Sequence, residues 1–170
     1  MKTRTFVLND SITAKRIKQL ISKIELCKAK IINIYLCSRG GDVIMSNIFV
    51  NFTHKTDKKI HLIGVGRMAS ACANIFIEAK GKRFLYPHTI ALLHLITYDP
   101  ESRDLLNKKS YDSVIMKEIE KQNLSKMDLY TKVFDLTAKE KSILKNGGDL
   151  GIDYERLKKA LPKINKLKFP

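Results

Sequence analysis

Apolar positions recur along this chain in two alternating rhythms. Between residues 11 and 28, Ile17, Leu20, Ile21, Ile24 and Cys27 fall three or four apart, the spacing of one helix face. Asn9, Asp10 and Ser11 just ahead of it are residues that cap helices, and a short strand, Thr5 to Leu8, precedes them. Ile31 to Cys37 is a β-branched run suited to a buried strand. It stops at Ser38-Arg39-Gly40-Gly41-Asp42, where a Gly-Gly turn opens a helix over about Val43 to His54. A strand from Ile60 to Val65, a glycine-bearing turn and a helix from about Ala69 to Lys80 come next. The repeated β-α order predicts an α/β fold, a mainly parallel sheet covered by helices.

Past Gly81 the rhythm loosens. Lys82 to Tyr86 and Thr89 to Leu95 read as two strands flanking Pro87, and residues 103 to 132 are mostly helical by periodicity. Thr137-Ala138-Lys139-Glu140 has the spacing of a capping box, starting a helix to about Lys145 that Asn146, Gly147 and Gly148 end. A last helix runs from about Asp153 to Leu161. No repeat, low-complexity segment or composition shift marks a linker, so residues 1–170 are expected to form a single domain.

Composition narrows the class. With 44% hydrophobic and 29% charged residues the chain is globular rather than disordered. Its longest apolar run, Ile90 to Ile96, is broken by His94 and is too short to span a bilayer; no signal-peptide core follows Met1, and a cytoplasmic protein is expected. Cys27, Cys37 and Cys72 are odd in number and contain no C-x-x-C pair, which argues for free thiols and against a disulfide framework or a structural zinc site. The charge of +15 raises polyanion or nucleic-acid binding as a reading. Against it, the lysines are scattered without aromatic interleaving, and the densest group, Lys158, Lys159, Lys163, Lys166 and Lys168, reads as a solvated helix face and tail.

Chemistry in a parallel sheet gathers where strands feed helices. Two such loops stand out, Gly40-Gly41 and Gly64-Val65-Gly66-Arg67-Met68-Ala69-Ser70. The second matches the dinucleotide fingerprint G-x-G-x-x-A, yet no acidic residue lies between Glu78 and Asp99 to bind a ribose. Ser70 is the one serine of ten placed after a strand and a glycine-bearing turn, on a helix start between Ala69 and Ala71. That position suits a nucleophile, and it equally suits a helix cap. His94 ends an apolar strand, as a general base or as a core histidine.

These segments resemble a family. Ile34-Tyr35-Leu36-Cys37-Ser38-Arg39-Gly40-Gly41-Asp42-Val43 resembles the Y-I-N-S-P-G-G-S-V segment of the Clp protease proteolytic subunit, and Gly66-Arg67-Met68-Ala69-Ser70-Ala71 its G-x-A-A-S-M nucleophile turn. Ala79-Lys80-Gly81-Lys82-Arg83-Phe84-Leu85-Tyr86-Pro87 is similar to A-K-G-K-R-x-x-L-P, and Leu92-Leu93-His94 falls where M-I-H carries the catalytic histidine. The resemblance is dense from Ile34 to His94 and thin beyond. It implies a crotonase/ClpP-like spiral of β-α units with a long handle helix. It also implies a serine endopeptidase with Ser70 as nucleophile, His94 as general base, and the backbone N–H groups of Gly41 and Ala71 as oxyanion hole. A buried aspartate completes the triad; Asp149 in Gly148-Asp149-Leu150-Gly151-Ile152 is the best match, with Asp135 and Asp153 as rivals.

Peptides or unfolded proteins are the implied substrates and a homo-oligomeric ring the implied assembly. No cofactor or metal is implied, ATP entering only through an unfoldase partner. The family's segment ahead of the first strand, which forms axial loops and helps dock that unfoldase, is not matched before Thr5, and the resemblance is therefore not expected to carry unfoldase docking by that segment. Arg39 replaces a proline, Cys72 a glycine where a larger side chain crowds the site, and Leu95-Ile96-Thr97-Tyr98-Asp99 a Pro and Gly-Gly stretch. For the handle, Leu105, Leu106, Val114, Ile115, Ile119, Leu124, Met127 and Leu129 are available for packing. The alternative to an enzyme is an inactive scaffold of the same fold, or that fold turned to polyanions.

Overall fold

The computed structural model describes residues 2–96 and 108–167, residues 108–113 by their backbone. The chain divides into two compact units, Met1–Leu93 with Gly151–Pro170, and His94–Leu150. The first unit holds β1 (Thr3–Leu8), α1 (Ala14–Leu26), β2 (Ile31–Ser38), α2 (Val43–Lys55), β3 (Lys59–Ala69), α3 (Ala71–Glu78), β4 (Lys82–Leu85) and β5 (Ile90–Leu93). In the second, α4 (Lys108–Phe134) and α5 (Ala138–Lys145) follow; the chain then re-enters the first through β6 (Leu150–Ile152) and α6 (Tyr154–Ile164).

The sheet runs β1-β2-β3-β5-β6, with β4 also on β3, and the pairings of β1 to β2, β2 to β3, and β3 to β4 and β5 are parallel. Alternation along β2 buries Ile32, Ile34, Leu36 and Ser38, while Ile31, Asn33, Tyr35 and Cys37 stay half-buried on the other face. The expected fully buried strand is thus buried on one side. The almost wholly buried α3 packs on β2 and β3, α2 packs on α3 and α1 on α2, with Ile17, Leu20 and Ile24 of α1 and Met45 and Phe49 of α2 buried. On the open face Tyr35 meets Tyr86, and His61 stacks edge-on against Phe84 with its Nδ1 3.1 Å from Asn33 Oδ1.

Three local expectations are corrected. Thr13, not residues 9–11, caps α1, its hydroxyl accepting Arg16 N–H, because the residues before it run alongside the Gly40–Gly41 loop first. Ile12 N–H donates to Gly40 O and Ile12 O accepts Asp42 N–H. The segment from Gly64 to Ala69 is strand rather than turn: β3 pairs β4 through residues 61–64 and then β5 through residues 67–69. The helix therefore begins at Ala71 and ends at Glu78. β6, unforeseen, is three residues long.

Helix α3 is short, and its last carbonyls are buried, so each needs a donor. Ile75 O accepts Ala79 N–H, and Glu78 O lies 3.2 Å from His54 Nε2. Phe76 O and Ile77 O accept from the Arg83 guanidinium at 3.0 Å each, as do Gly81 O at 2.7 Å and Ala79 O. Burial pulls the Arg83 pKa down to about 10, which leaves it a cation at neutral pH.

In the second unit Asn123 pairs both ways with Ile96, Ile96 N–H to Oδ1 at 2.7 Å and Nδ2 to Ile96 O at 3.0 Å. Met127, Tyr130, Val133 and Phe134 are buried at helical spacing along α4. Of the apolar residues expected to pack there, Val114 and Leu124 are exposed, Ile115, Ile119 and Leu129 are half-buried, and Leu105 and Leu106 lie outside the described residues. The capping box at Thr137 and Glu140 forms, and Gly148 N–H closes α5 on Ile143 O. Among the described residues no helix is long and apolar enough to cross a membrane. Lys158, Lys159, Lys163 and Lys166 are exposed on and after α6, and Lys168 lies outside the described residues.

Candidate active site

Ser70 is the single residue between β3 and α3. Its backbone sits at φ 55 and ψ −126, a region that L-residues avoid and that costs roughly 1–3 kcal/mol to hold. Three contacts hold it. Ser70 N–H donates to Leu92 O of β5 at 2.9 Å, Ser70 O accepts Asn74 N–H at 3.1 Å, and the Gly40–Gly41 loop backs directly onto the turn. That approach requires glycine. A Cβ on Gly40 (φ 94) would lie 2.6 Å from Ala69 O, 2.7 Å from Ser70 Cβ and 3.1 Å from Ala71 N, and one on Gly41 (φ 140) would strike Ile12 O.

The consequence is a half-buried hydroxyl on a preorganised turn, next to the first N–H groups of a helix that have no partner within the helix. Such N–H groups, with the helix dipole behind them, can hold a negative oxygen. Cys72, one turn position further in, is fully buried; burial pushes its thiol up to about 12, with the Ser38 backbone N–H opposing in part. It sits inside the helix packing.

Of the residues singled out in the sequence, Gly41, Ser70 and Ala71 all belong to the first unit; Gly40 packs against Ser70 and Ala71, and Gly41 beside it packs on Ile12. His94, half-buried, opens the second unit two residues after Leu92, whose carbonyl holds the Ser70 turn. Asp149, in the same unit, is exposed rather than buried, just ahead of β6. Asp135 is also exposed, in the left-handed region at φ 53 where α4 ends. Asp153 is committed elsewhere, its carboxylate accepting Arg156 N–H at 2.8 Å as the cap of α6. Gly64 to Ala69 lie in β3 rather than in a glycine turn, so the dinucleotide reading loses the tight turn it needs ahead of the helix. A groove of about 640 Å³ between β1 and the end of α1 is lined by Lys2, Arg4, Lys23 and Lys28 and contains none of the predicted site residues.

Two residues escaped the sequence reading. Ser38 was open to detection, since alternation puts it in one layer with Ile32, Ile34 and Leu36. Arg83 offered only a weaker sign, a guanidinium in an apolar strand with no acid nearby in sequence.

Parallel β-α units that deliver a strained serine from a strand end onto a helix start define an α/β fold of the crotonase/ClpP-like class. The family model described as Clp protease matches residues 1–127, and the chain belongs to that family. It is 33% identical over 143 residues to the ATP-dependent Clp protease proteolytic subunit 2 of Borreliella burgdorferi, covering 75% of this chain and 72% of that protein. The protein of the same name from Treponema denticola is 30% identical over 99 residues, covering 55% and 50%. A solved structure of a ClpP1 point mutant from Listeria monocytogenes shares the fold at a TM-score of 0.69 and 18% identity, over 93% of this chain and 87% of its own. The family match takes in Ser70 and His94 and ends before Asp135, Asp149 and Asp153.

Proposed function

We propose that this chain is a serine endopeptidase that hydrolyses peptide bonds through Ser70, His94 and Asp149. The observation that carries the reading is the Ser70 turn: a strained serine at a helix start, backed by two glycines whose side-chain space is filled by the turn itself and by Ile12. As Ser70 Oγ attacks the scissile carbonyl carbon, its proton passes to His94 and the carbonyl electrons move onto oxygen. The N–H groups of Gly41 and Ala71 receive that oxyanion. Its collapse breaks the C–N bond, the amine leaves with the proton from His94, and water repeats the sequence on the acyl-enzyme. Asp149 orients the imidazole and stabilises its charged form; Asp135 is the rival, whereas the Asp153 carboxylate already serves α6.

Peptides or unfolded proteins are the substrates of this reading. A ring of copies and an ATP-driven unfoldase partner are proposed with it, since both subunit relatives are named ATP-dependent Clp proteases. Fluorophosphonate labelling of the intact protein tests the enzyme claim. The expected result is one adduct on Ser70, with peptide hydrolysis lowered on the order of a thousandfold or more in Ser70→Ala and in His94→Ala. Asp149→Asn should fall further than Asp135→Asn. An unlabelled protein whose peptide hydrolysis is indifferent to Ser70→Ala sinks the proposal and leaves an inactive scaffold.

A further inference from the structure

Ser38 ends β2 on its buried face, 3% exposed. Alternation carries its hydroxyl into the apolar layer of Ile32, Ile34 and Leu36, where an unmatched polar group is costly. It is matched on both sides. Ser38 Oγ–H donates to Asp10 O at 2.6 Å, and Ser38 Oγ accepts Gly40 N–H at 3.0 Å. The hydroxyl thus bridges the β1–α1 connection to the first glycine of the loop that backs Ser70. Ile12 holds the other side of that loop through Gly40 O at 2.8 Å and Asp42 N–H at 2.9 Å. Together these bonds use the N–H and carbonyl of Gly40 and the N–H of Asp42, and leave the Gly41 N–H outside them.

Two successive glycines have more freedom than any other pair of residues, and both stand at positive φ. An oxyanion donor works only within a few tenths of an ångström of its place. Something must therefore select one loop conformation among many. We infer that Ser38 is a positioning residue, its hydroxyl holding the Gly40–Gly41 loop so that the Gly41 N–H meets the same oxygen as the Ala71 N–H. This rests on the peptidase reading above.

The test uses the full chain and two readouts, the rate of fluorophosphonate labelling at Ser70 and hydrogen exchange at the Gly40 amide. Ser38→Ala should label about ten- to a hundredfold more slowly, lower kcat with KM within about twofold, and exchange the Gly40 amide about tenfold faster. Ser38→Thr, which keeps the hydroxyl, should recover most of both. Ser38→Cys, close in volume but a weak acceptor, should be slow like alanine and serves should the alanine variant fail to fold. Labelling at the wild-type rate in both Ser38→Ala and Ser38→Cys overturns the inference, as does a loss borne by KM with kcat intact. If the wild-type chain resists the probe, the peptidase reading falls and this inference with it; if it labels, only the role of Ser38 is at stake.

Discussion

Removing the Arg83 guanidinium tests whether the C-terminal end of α3 is held as described. Arg83→Met keeps the apolar stem and takes away the donors to Phe76 O, Ile77 O, Ala79 O and Gly81 O. A hydrogen bond to a charged group contributes about 1.5–3 kcal/mol, but the four share one cation whose own desolvation opposes them, so the total is well below four times that figure. Most of the cost comes from what the substitution leaves behind, a helix end with buried carbonyls and no donor. A loss of about 3–5 kcal/mol follows, a large part of the stability of an ordinary domain. At about 2–4 °C per kcal/mol for a chain of this size, the thermal midpoint falls by roughly 6–20 °C. Arg83→Lys keeps the charge but loses the fork, and should recover only part. Urea denaturation followed by far-UV circular dichroism near neutral pH, where Arg83 is a cation, measures all three proteins. An Arg83→Met variant within about 1 kcal/mol of wild type would show that the carbonyls find other donors and would refute the account.

Gly40→Ala places a methyl group against the Ser70 turn and at a φ that L-residues avoid. We expect a loss of about 2–5 kcal/mol, from overpacking and backbone strain together, and slower fluorophosphonate labelling of Ser70. Wild-type values of both would mean that the loop and the turn are not in contact. His61 gives a pH prediction. Burial, with Lys82 and Lys59 adding to it, holds its imidazole below the ordinary 6.5. The unfolded chain then binds a proton that the folded chain refuses, so stability rises as pH climbs toward 6.5 and is lost on acidification through that window. His61→Gln should flatten that stretch of the pH–stability curve, and an NMR titration of His61 with a midpoint at or above 6.5 contradicts the reasoning.

Elements whose signals are local were legible from residues alone. The capping box at Thr137 and the glycine stop after Lys145 involve neighbours within a few positions, and both form as read. The same holds for β2, read as Ile31 to Cys37 and found over Ile31–Ser38. What escaped depends on distant partners. Val65 and Gly66 look like a turn by residue type, yet β3 continues through them because it finds two partners in succession, β4 and then β5. A glycine pair in sequence cannot tell a chain reversal from a strand that changes neighbours. β6 has only three residues and no periodicity to detect.

The site divides along the same line. The placement of Ser70 was legible because a serine after a strand at a small-residue helix start is a local pattern; its positive φ was not, since strain is imposed by what surrounds it. The groups that impose it are scattered through the chain: Leu92 holds its N–H, Gly40 fills the space behind, and Ile12 and Ser38 hold Gly40. The carboxylate is the hardest part to read, for a related reason. Any exposed aspartate near a helix end can serve as a cap, as Asp153 does, and a cap and an orienting carboxylate look alike in sequence. Burial would separate them, but Asp135, Asp149 and Asp153 are all exposed in this chain. On the proposed reading, the choice between Asp149 and Asp135 therefore turns on rates: a carboxylate that orients His94, changed to asparagine, lowers kcat without moving KM, whereas a mere cap so changed leaves kcat alone and costs little stability, asparagine being as good a cap.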